Sequence, residues 1–110
     1  MANCPDRGDL ITCYFSDTSG HEQSGFRRAV VLSPKVINYS SHLAIVCPIT
    51  NRKRGYPFEV EIPEDLKVTG VILVNQLRTI DWTTRNMEII DRLPDYELSK
   101  VQLLIAKLIL

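Results

Sequence analysis

The stretch that decides the fold class is Phe58-Glu59-Val60-Glu61-Ile62, in which apolar and acidic side chains alternate. Because successive side chains of a β-strand point to opposite faces, this pattern predicts a strand with Phe58, Val60 and Ile62 facing a core. Short apolar runs bounded by Gly, Pro, Ser or Asn lie on both sides of it and predict further strands. These runs cover residues 10–15, 29–33, 43–49, 71–74 and 77–82.

Regularly spaced short strands favour a small twisted β-barrel over alternating βαβ units. One helical turn is expected after Pro34, and a longer helix over Asp95–Leu110, which begins with acidic residues and then reads at helical period. The fold class is therefore mainly β with α, a small barrel with a C-terminal helix. That helix carries one apolar stripe for the barrel, formed by Leu98, Val101, Ile105, Leu108 and Ile109.

A second apolar face of the same helix carries Leu103, Ala106 and Leu110. One small barrel does not cover two faces, so we expect this second face to meet another subunit, most simply in a symmetric homodimer. The alternative is that the last turn frays and exposes Leu110 without consequence.

The chain has 110 residues, and 45% of them are hydrophobic and 24% charged, which is typical of a globular protein. No repeat or linker divides it, so we expect a single domain over residues 1–110. Its start lacks a basic segment followed by an apolar one, and no apolar run is long enough for a membrane span, which favours a cytoplasmic protein with no membrane contact. The three cysteines, Cys4, Cys13 and Cys47, form no C-x-x-C pair and fit a reduced compartment.

The formal net charge is zero, which excludes binding through a polybasic tail. Residues 1–54 nevertheless hold seven basic and four acidic side chains. Five of the basic ones stand in Arg27-Arg28 and Arg52-Lys53-Arg54. These groups are either a solvated loop face or a local phosphate-binding patch.

The residue pattern predicts no metal and no cofactor. His21 and His42 are not spaced as metal ligands, and the neighbouring pair His21-Glu22 is only a weak candidate for a metal-ligand set. No glycine-rich loop for binding the phosphates of a nucleotide cofactor is present in the sequence. Cys13 and Cys47 lie inside strand runs, where a buried and inert thiol is the expected state.

The remaining polar residues beside loops and strand ends suit RNA cleavage without metal. Such a reaction needs a base for the 2′-hydroxyl, a cation for the charge that develops on the phosphate, and an acid for the leaving 5′-oxygen. Glu22 is a candidate base, Arg27 offers bidentate phosphate contacts, and Thr50 offers a hydroxyl donor. On the residues alone this is one option among many.

A group of short motifs resembles the MazF/PemK toxins, the toxin halves of bacterial type II toxin–antitoxin pairs. The motifs occur in the family's order over nearly the whole chain from Gly8. They are Gly8-Asp9-Leu10-Ile11, Gly20-His21-Glu22-Gln23-x-Gly25, Arg27-x-Ala29-Val30-Val31-Leu32-Ser33-Pro34, Pro48-Ile49-Thr50, Gly55-Tyr56-Pro57-Phe58-Glu59-Val60, Gly70-Val71-x-Leu73-x-Asn75-Gln76 and Ile80-Asp81-Trp82.

The resemblance implies an SH3-like β-barrel with a C-terminal helix, assembled as a homodimer. It also implies a metal-independent, sequence-specific endoribonuclease that cuts single-stranded RNA, chiefly mRNA, and arrests translation. The products would carry a 2′,3′-cyclic phosphate and a free 5′-hydroxyl. The catalytic residues implied are Arg27, Thr50 and Glu22.

Further residues are expected to contact RNA. Phe15 and Tyr56 are candidates for stacking on bases, with core packing as the alternative, and Gln76 for positioning RNA or a loop, with a structural hydrogen bond as the alternative. The resemblance also implies a MazE-like antitoxin whose flexible, often acidic tail occupies the RNA groove, with Arg52–Arg54 as its docking point. The full set of expected RNA contacts is Phe15, His21, Gln23, Arg28, Asn51, Arg52, Lys53, Arg54, Tyr56, Gln76 and Arg78.

The chain departs from the family at several of these places. Arg28 stands where a proline usually follows the catalytic arginine, Tyr14-Phe15-Ser16-Asp17 replaces D-F-D-P, and Thr12 replaces an aromatic residue. Either Arg27 or Arg28 can then face the phosphate. Two alternatives remain open, a CcdB-like toxin of the same fold that poisons gyrase with its C-terminal helix, and a silent barrel that only binds a partner protein.

Overall fold

A computed structural model describes residues 3–15 and 25–110 of the chain. The fold consists mainly of antiparallel strand pairs followed by a C-terminal helix, which confirms the predicted fold class. The elements in chain order are β1 (Asp9–Phe15), β2 (Gly25–Val31), α1 (Lys35–Ser41), β3 (Leu43–Thr50), β4 (Glu59–Glu61), β5 (Val71–Leu73), a short 3₁₀ helix (Val74–Gln76), β6 (Arg78–Asp81), β7 (Glu88–Arg92) and α2 (Asp95–Ile109).

The seven strands form one sheet in the order β4-β5-β3-β2-β1-β7, and β6 pairs with β3 beside this path. The long strand β3 organises the sheet, because Leu43–Val46 pairs with β6 while Ile49 and Thr50 pair with β5. Strand pairing in the described residues ends at β4 on one side and at β7 on the other. The sheet is therefore barrel-like but not closed.

Alternation along the strands gives the sheet two apolar faces. One face packs against α2 and includes Leu10, Val30 and Ile49. The other face packs around Trp82 and includes Val31. The strands β1, β2 and β3 contribute buried side chains to both clusters.

The alternation predicted over Phe58–Ile62 is confirmed at Val60 and Ile62, which are buried, and at Glu61, which is exposed. The strand itself covers only Glu59–Glu61, and Phe58 before it is half-buried. The strand that sequence analysis missed is β7, whose letters Glu-Ile-Ile-Asp-Arg show no period of two. It pairs with β1 through a register shift at Leu10/Ile11. A bulge of this kind breaks the alternation that identifies a strand.

The helix after Pro34 is longer than the single predicted turn, because buried polar contacts hold it. The amide of Asn38 is fully buried, accepts a hydrogen bond from the Ser33 hydroxyl at 2.5 Å and donates to the Pro5 carbonyl at 2.8 Å. The indole of Trp82 donates to the Asn38 carbonyl at 3.0 Å. These bonds fix α1 and the N-terminal segment to the sheet.

The C-terminal helix is buried over its first half only. Leu98 and Val101 enter the core, whereas Leu108 and Ile109, which the stripe assigns to the buried face, are exposed. Leu103 on the second face is exposed as well. The end of the expected stripe, Leu108 and Ile109, is therefore not covered within a single chain. In the described part of the chain, no helix is long and apolar enough to cross a membrane.

All three cysteines are free thiols and buried, as predicted for Cys13 and Cys47. Burial raises the pKa of Cys13 to about 11 and that of Cys47 to about 12. Both thiols are therefore protonated at neutral pH.

Candidate active site

An open pocket of about 480 Å³ lies where β2 begins and β3 ends. Three arginines and no carboxylate belong to the lining that the structure describes, so the pocket attracts anions. Its lining residues are Thr12, Phe26, Arg27, Arg28, Ile49, Thr50, Asn51 and Arg52.

The strand register brings Arg27 and Thr50 to one place. Arg28 of β2 pairs with Ile49 of β3, so Arg27 and Thr50 occupy the next position along the two antiparallel strands. Neighbours at one position of a sheet share a face. The side chains of Arg27 and Thr50 therefore enter the pocket together from adjacent strands.

The hydroxyl of Thr50 is oriented by the loop that follows it. It accepts a hydrogen bond from the backbone N–H of Arg52 at 3.1 Å. A hydroxyl that already accepts one bond retains its own proton for donation. Thr50 can therefore donate to an anionic oxygen held by Arg27.

Arg28 lines the same pocket but starts from the opposite face of β2, since neighbours along a strand face opposite sides. Its guanidinium donates a hydrogen bond to the Thr69 carbonyl at 2.5 Å. Partial burial, and then the charge of Arg27, hold the pKa of Arg28 below its usual value. The two arginines therefore lie close enough to repel each other, with Arg27 on the face of Thr50 and Arg28 bound to a neighbouring turn.

The turn before β5 supports the residues after Thr50. The Thr69 hydroxyl donates to the side-chain carbonyl of Asn51 at 3.0 Å. Gly70 has a φ of +118°, and a Cβ there would lie 2.4 Å from the Thr50 carbonyl oxygen and 2.8 Å from Asn51 Oδ1. Only glycine allows this approach.

The basic loop after Asn51 is folded back onto β4 by two glutamates. Lys53 forms an ion pair with Glu61, and the Glu59 carboxylate accepts the backbone N–H groups of Arg54, at 3.2 Å, and Gly55, at 2.9 Å. The charged side chains of this loop remain exposed beside the pocket.

The aromatic candidates behave differently from each other. Tyr56 is 47% exposed, and its ring stacks on Phe58 at 5.1 Å.

The ring of Phe15 is fully buried, with the Arg78 guanidinium 4.7 Å from its centroid. Phe15 therefore offers no face to a base, and its expected role in RNA binding is contradicted, because alternation along β1 turns it into the core. The neighbouring Tyr14 is exposed instead and pairs with exposed Phe26.

Other expected site residues lie elsewhere. Gln76 is in the 3₁₀ helix and Arg78 in β6, and neither lines the pocket. The expected base Glu22 and the expected RNA contacts His21 and Gln23 lie outside the described residues. Within residues 3–15 and 25–110, no group of three or more metal-ligating side chains comes together.

Sequence reasoning missed Phe26, Thr69 and Gly70 as parts of the site. Phe26 is next to Arg27 in sequence, which is a usable signal. An isolated glycine before an apolar run indicates close backbone approach, and Gly70 fits that rule. Nothing in the sequence signals Thr69, since its role depends on a contact with Asn51 from 18 residues away.

Fold and site together define a small antiparallel β-protein with a terminal helix and an arginine-lined pocket. Residues 6–109 match the family described as PemK-like, MazF-like toxin of type II toxin–antitoxin system. The endoribonuclease toxin MazF of Escherichia coli K12 is 43% identical over 81 residues, which is 74% of this chain and 72% of that protein.

Solved structures agree with this match. The crystal structure of MazF from Deinococcus radiodurans has a TM-score of 0.91 and 41% identity and covers 96% of both chains. A MazE–MazF structure from the same organism has a TM-score of 0.86 and 41% identity, with 96% of this chain and 95% of that chain covered. The chain belongs to the PemK-like, MazF-like toxins of type II toxin–antitoxin systems. It is an endoribonuclease toxin of this family, and neither the gyrase-poisoning nor the silent-barrel alternative is favoured.

Proposed function

We propose that this MazF-like endoribonuclease cleaves single-stranded RNA, chiefly mRNA, sequence-specifically and without metal, at the pocket shared by Arg27 and Thr50. The observation that carries the proposal is that the strand register brings a guanidinium and a hydroxyl into one anion-attracting pocket. Cleavage in the cytoplasm inhibits translation.

The reaction is transfer of the phosphodiester to the adjacent 2′-oxygen. The 2′-hydroxyl loses its proton to a base, its oxygen attacks phosphorus, and the 5′-oxygen leaves with a proton from an acid. Arg27 balances the charge that develops on the phosphate, and Thr50 donates a hydrogen bond to it. Glu22 is the proposed base. The products are a 2′,3′-cyclic phosphate and a 5′-hydroxyl.

The RNA strand follows the basic loop away from the pocket. Exposed Arg52 and Arg54 attract phosphates, and Asn51 and Tyr56 contact bases by hydrogen bonding and stacking. Lys53 joins them once its exposed ion pair with Glu61 opens, at little cost for a surface pair. Flanking contacts are assigned to His21, Gln23, Gln76 and Arg78.

The single domain over residues 1–110 acts as a homodimer held by a MazE-like antitoxin. The exposed apolar residues of α2 support the homodimer. The basic loop supports the binding of an acidic antitoxin tail, because it offers the tail the charges that it offers RNA.

The proposal is tested by incubating the protein with a long single-stranded RNA in EDTA. We expect cleavage at defined sites and 5′-hydroxyl ends that polynucleotide kinase labels without prior phosphatase treatment. Replacing the 2′-hydroxyl at a mapped site by hydrogen should block cleavage there, because it removes the nucleophile. Cleavage that needs added metal, or that continues at the 2′-deoxy site, would contradict the proposal.

A further inference from the structure

Arg28, one of the arginines that line the pocket, contacts the protein's own backbone. Its guanidinium donates to the Thr69 carbonyl at 2.5 Å, across a gap of 41 residues in sequence. A contact of this kind is charge-assisted and directional. It fixes the turn before β5 to the start of β2.

The same turn is bonded to β3 on its other side. The Thr69 hydroxyl donates to Asn51 Oδ1 at 3.0 Å, and Gly70 lies against the Thr50 carbonyl. The Gly70 carbonyl in turn accepts the N–H of Ile62 at 3.0 Å. The turn that Arg28 binds therefore contacts both Thr50 and Asn51.

We propose that Arg28 is a positioning residue, which acts through the Thr69–Gly70 turn to hold Thr50 at the scissile phosphate. This inference rests on the proposed function and replaces the expected role of Arg28 as an RNA contact. The bond from the Arg28 Nη1 to a backbone carbonyl contributes to the geometry of the turn. Small displacements of a catalytic donor reduce the rate even where substrate binding is unchanged.

The two roles predict different kinetics. Loss of a positioning residue lowers the cleavage rate at saturating RNA and leaves RNA affinity intact. Loss of a phosphate contact instead weakens RNA affinity and reduces the salt dependence of that affinity. For single-stranded RNA, loss of one phosphate contact lowers the slope of log Kd against log salt by about 0.7.

The test compares Arg28→Met, Thr69→Val and their combination with the wild type. Met keeps the length of the side chain without its donors, and Val keeps the shape of threonine without its hydroxyl. Single-turnover cleavage is measured at saturating RNA, and Kd is measured at several salt concentrations with RNA carrying a 2′-deoxy scissile nucleotide. Arg52→Ala is the matched control, because Arg52 lines the same pocket and is assigned to phosphate binding.

We expect each single variant to cleave roughly tenfold more slowly, with Kd and the salt slope unchanged. The double variant should be no slower than either single variant, because both substitutions act through the same turn. Arg52→Ala should instead weaken Kd and reduce the salt slope. An Arg28→Met variant with an unchanged saturating rate, or with the affinity loss of Arg52→Ala, overturns the inference. If Arg28→Met does not fold, Thr69→Val decides by the same measurements. Absence of wild-type cleavage in EDTA would instead contradict the proposed function.

Discussion

At the scale of single residues, alternation along two strands decides which of the pocket's side chains share a face. Arg27 shares a position with Thr50 on the adjacent strand, and Arg28 faces the other way towards Thr69. The same alternation buries Phe15 and exposes Tyr14. A change of one residue in register would exchange all of these roles.

Burial of Cys13 and Cys47 makes stability depend on pH. Their pKa values are raised to about 11 and about 12 in the folded protein, whereas a thiol in an unfolded chain ionises near pH ~8.5. The stabilisation is therefore complete below the unfolded value and is lost as the pH rises through the folded ones. We expect about 1 to 2 kcal/mol per thiol to be lost between pH 8 and pH 10, measured by urea unfolding.

The control for this effect is the Cys13→Ala/Cys47→Ala variant. It loses packing at every pH, so the comparison uses the change in unfolding free energy between the two pH values. That change should be smaller in the variant than in the wild type. Equal changes in both proteins would show that the thiols do not ionise on unfolding.

The site was predicted from sequence where a residue type and a motif coincide. Arg27 and Thr50 follow from the resemblance, and the structure places both in one pocket. Of the two roles left open for Phe15, base stacking and core packing, the structure shows core packing, since its ring is fully buried. Thr69 was missed because its contacts are distant in sequence.

At the scale of elements, the turn before β5 is the support of the site. It connects β4 to β5 and reaches β3 through Thr69 and Gly70. The close approach of this turn to β3 depends on Gly70, since a Cβ at that position would clash with the Thr50 carbonyl.

We therefore expect Gly70→Ala to lower the free energy of unfolding and to slow RNA cleavage. Gly55→Ala is the matched control, because Gly55 also has a positive φ, of +76°, but a Cβ there meets nothing within 4 Å. The control should lose about 1 kcal/mol from backbone strain, and Gly70→Ala should lose clearly more from strain and contact together. Urea unfolding measures both. Equal losses of unfolding free energy in the two variants would show that the turn is not in close contact with Thr50.

The elements themselves were predicted where apolar patterning is regular. The runs that became β1, β3, β4 and β5 were found within a few residues of their ends. Two features were missed for the same physical reason, namely that local pattern does not reveal tertiary contacts. β7 pairs with β1 through a register shift, and the apolar side chains in the last turn of α2 are exposed.

At the scale of the whole molecule, the exposed part of α2 supports the proposed homodimer. Leu103 and Ile109 are each 64% exposed, which is unusual for large apolar side chains on one helix. We expect light scattering to give a mass of twice 12.5 kDa at micromolar concentration.

The Leu103→Glu/Ile109→Glu variant should shift the protein to the monomer, because charges do not tolerate burial in an apolar interface. Val36→Glu is the control, since Val36 is 72% exposed on α1, away from α2. It should leave the dimer intact. A monomeric wild type, or a dimer unaffected by the double substitution in α2, would contradict this assembly.

The central claim, that Arg27 and Thr50 act on one phosphodiester, is tested most directly by a double-mutant cycle. Single-turnover cleavage of an RNA oligonucleotide with one mapped site is measured in EDTA for Arg27→Ala, Thr50→Ala and the double variant, with exposed Lys35→Ala and Thr79→Ala as controls. We predict losses of about a hundredfold or more for each single variant, a double loss smaller than their product, and controls close to the wild type. A single variant that retains the wild-type rate, or losses that multiply, would contradict the account.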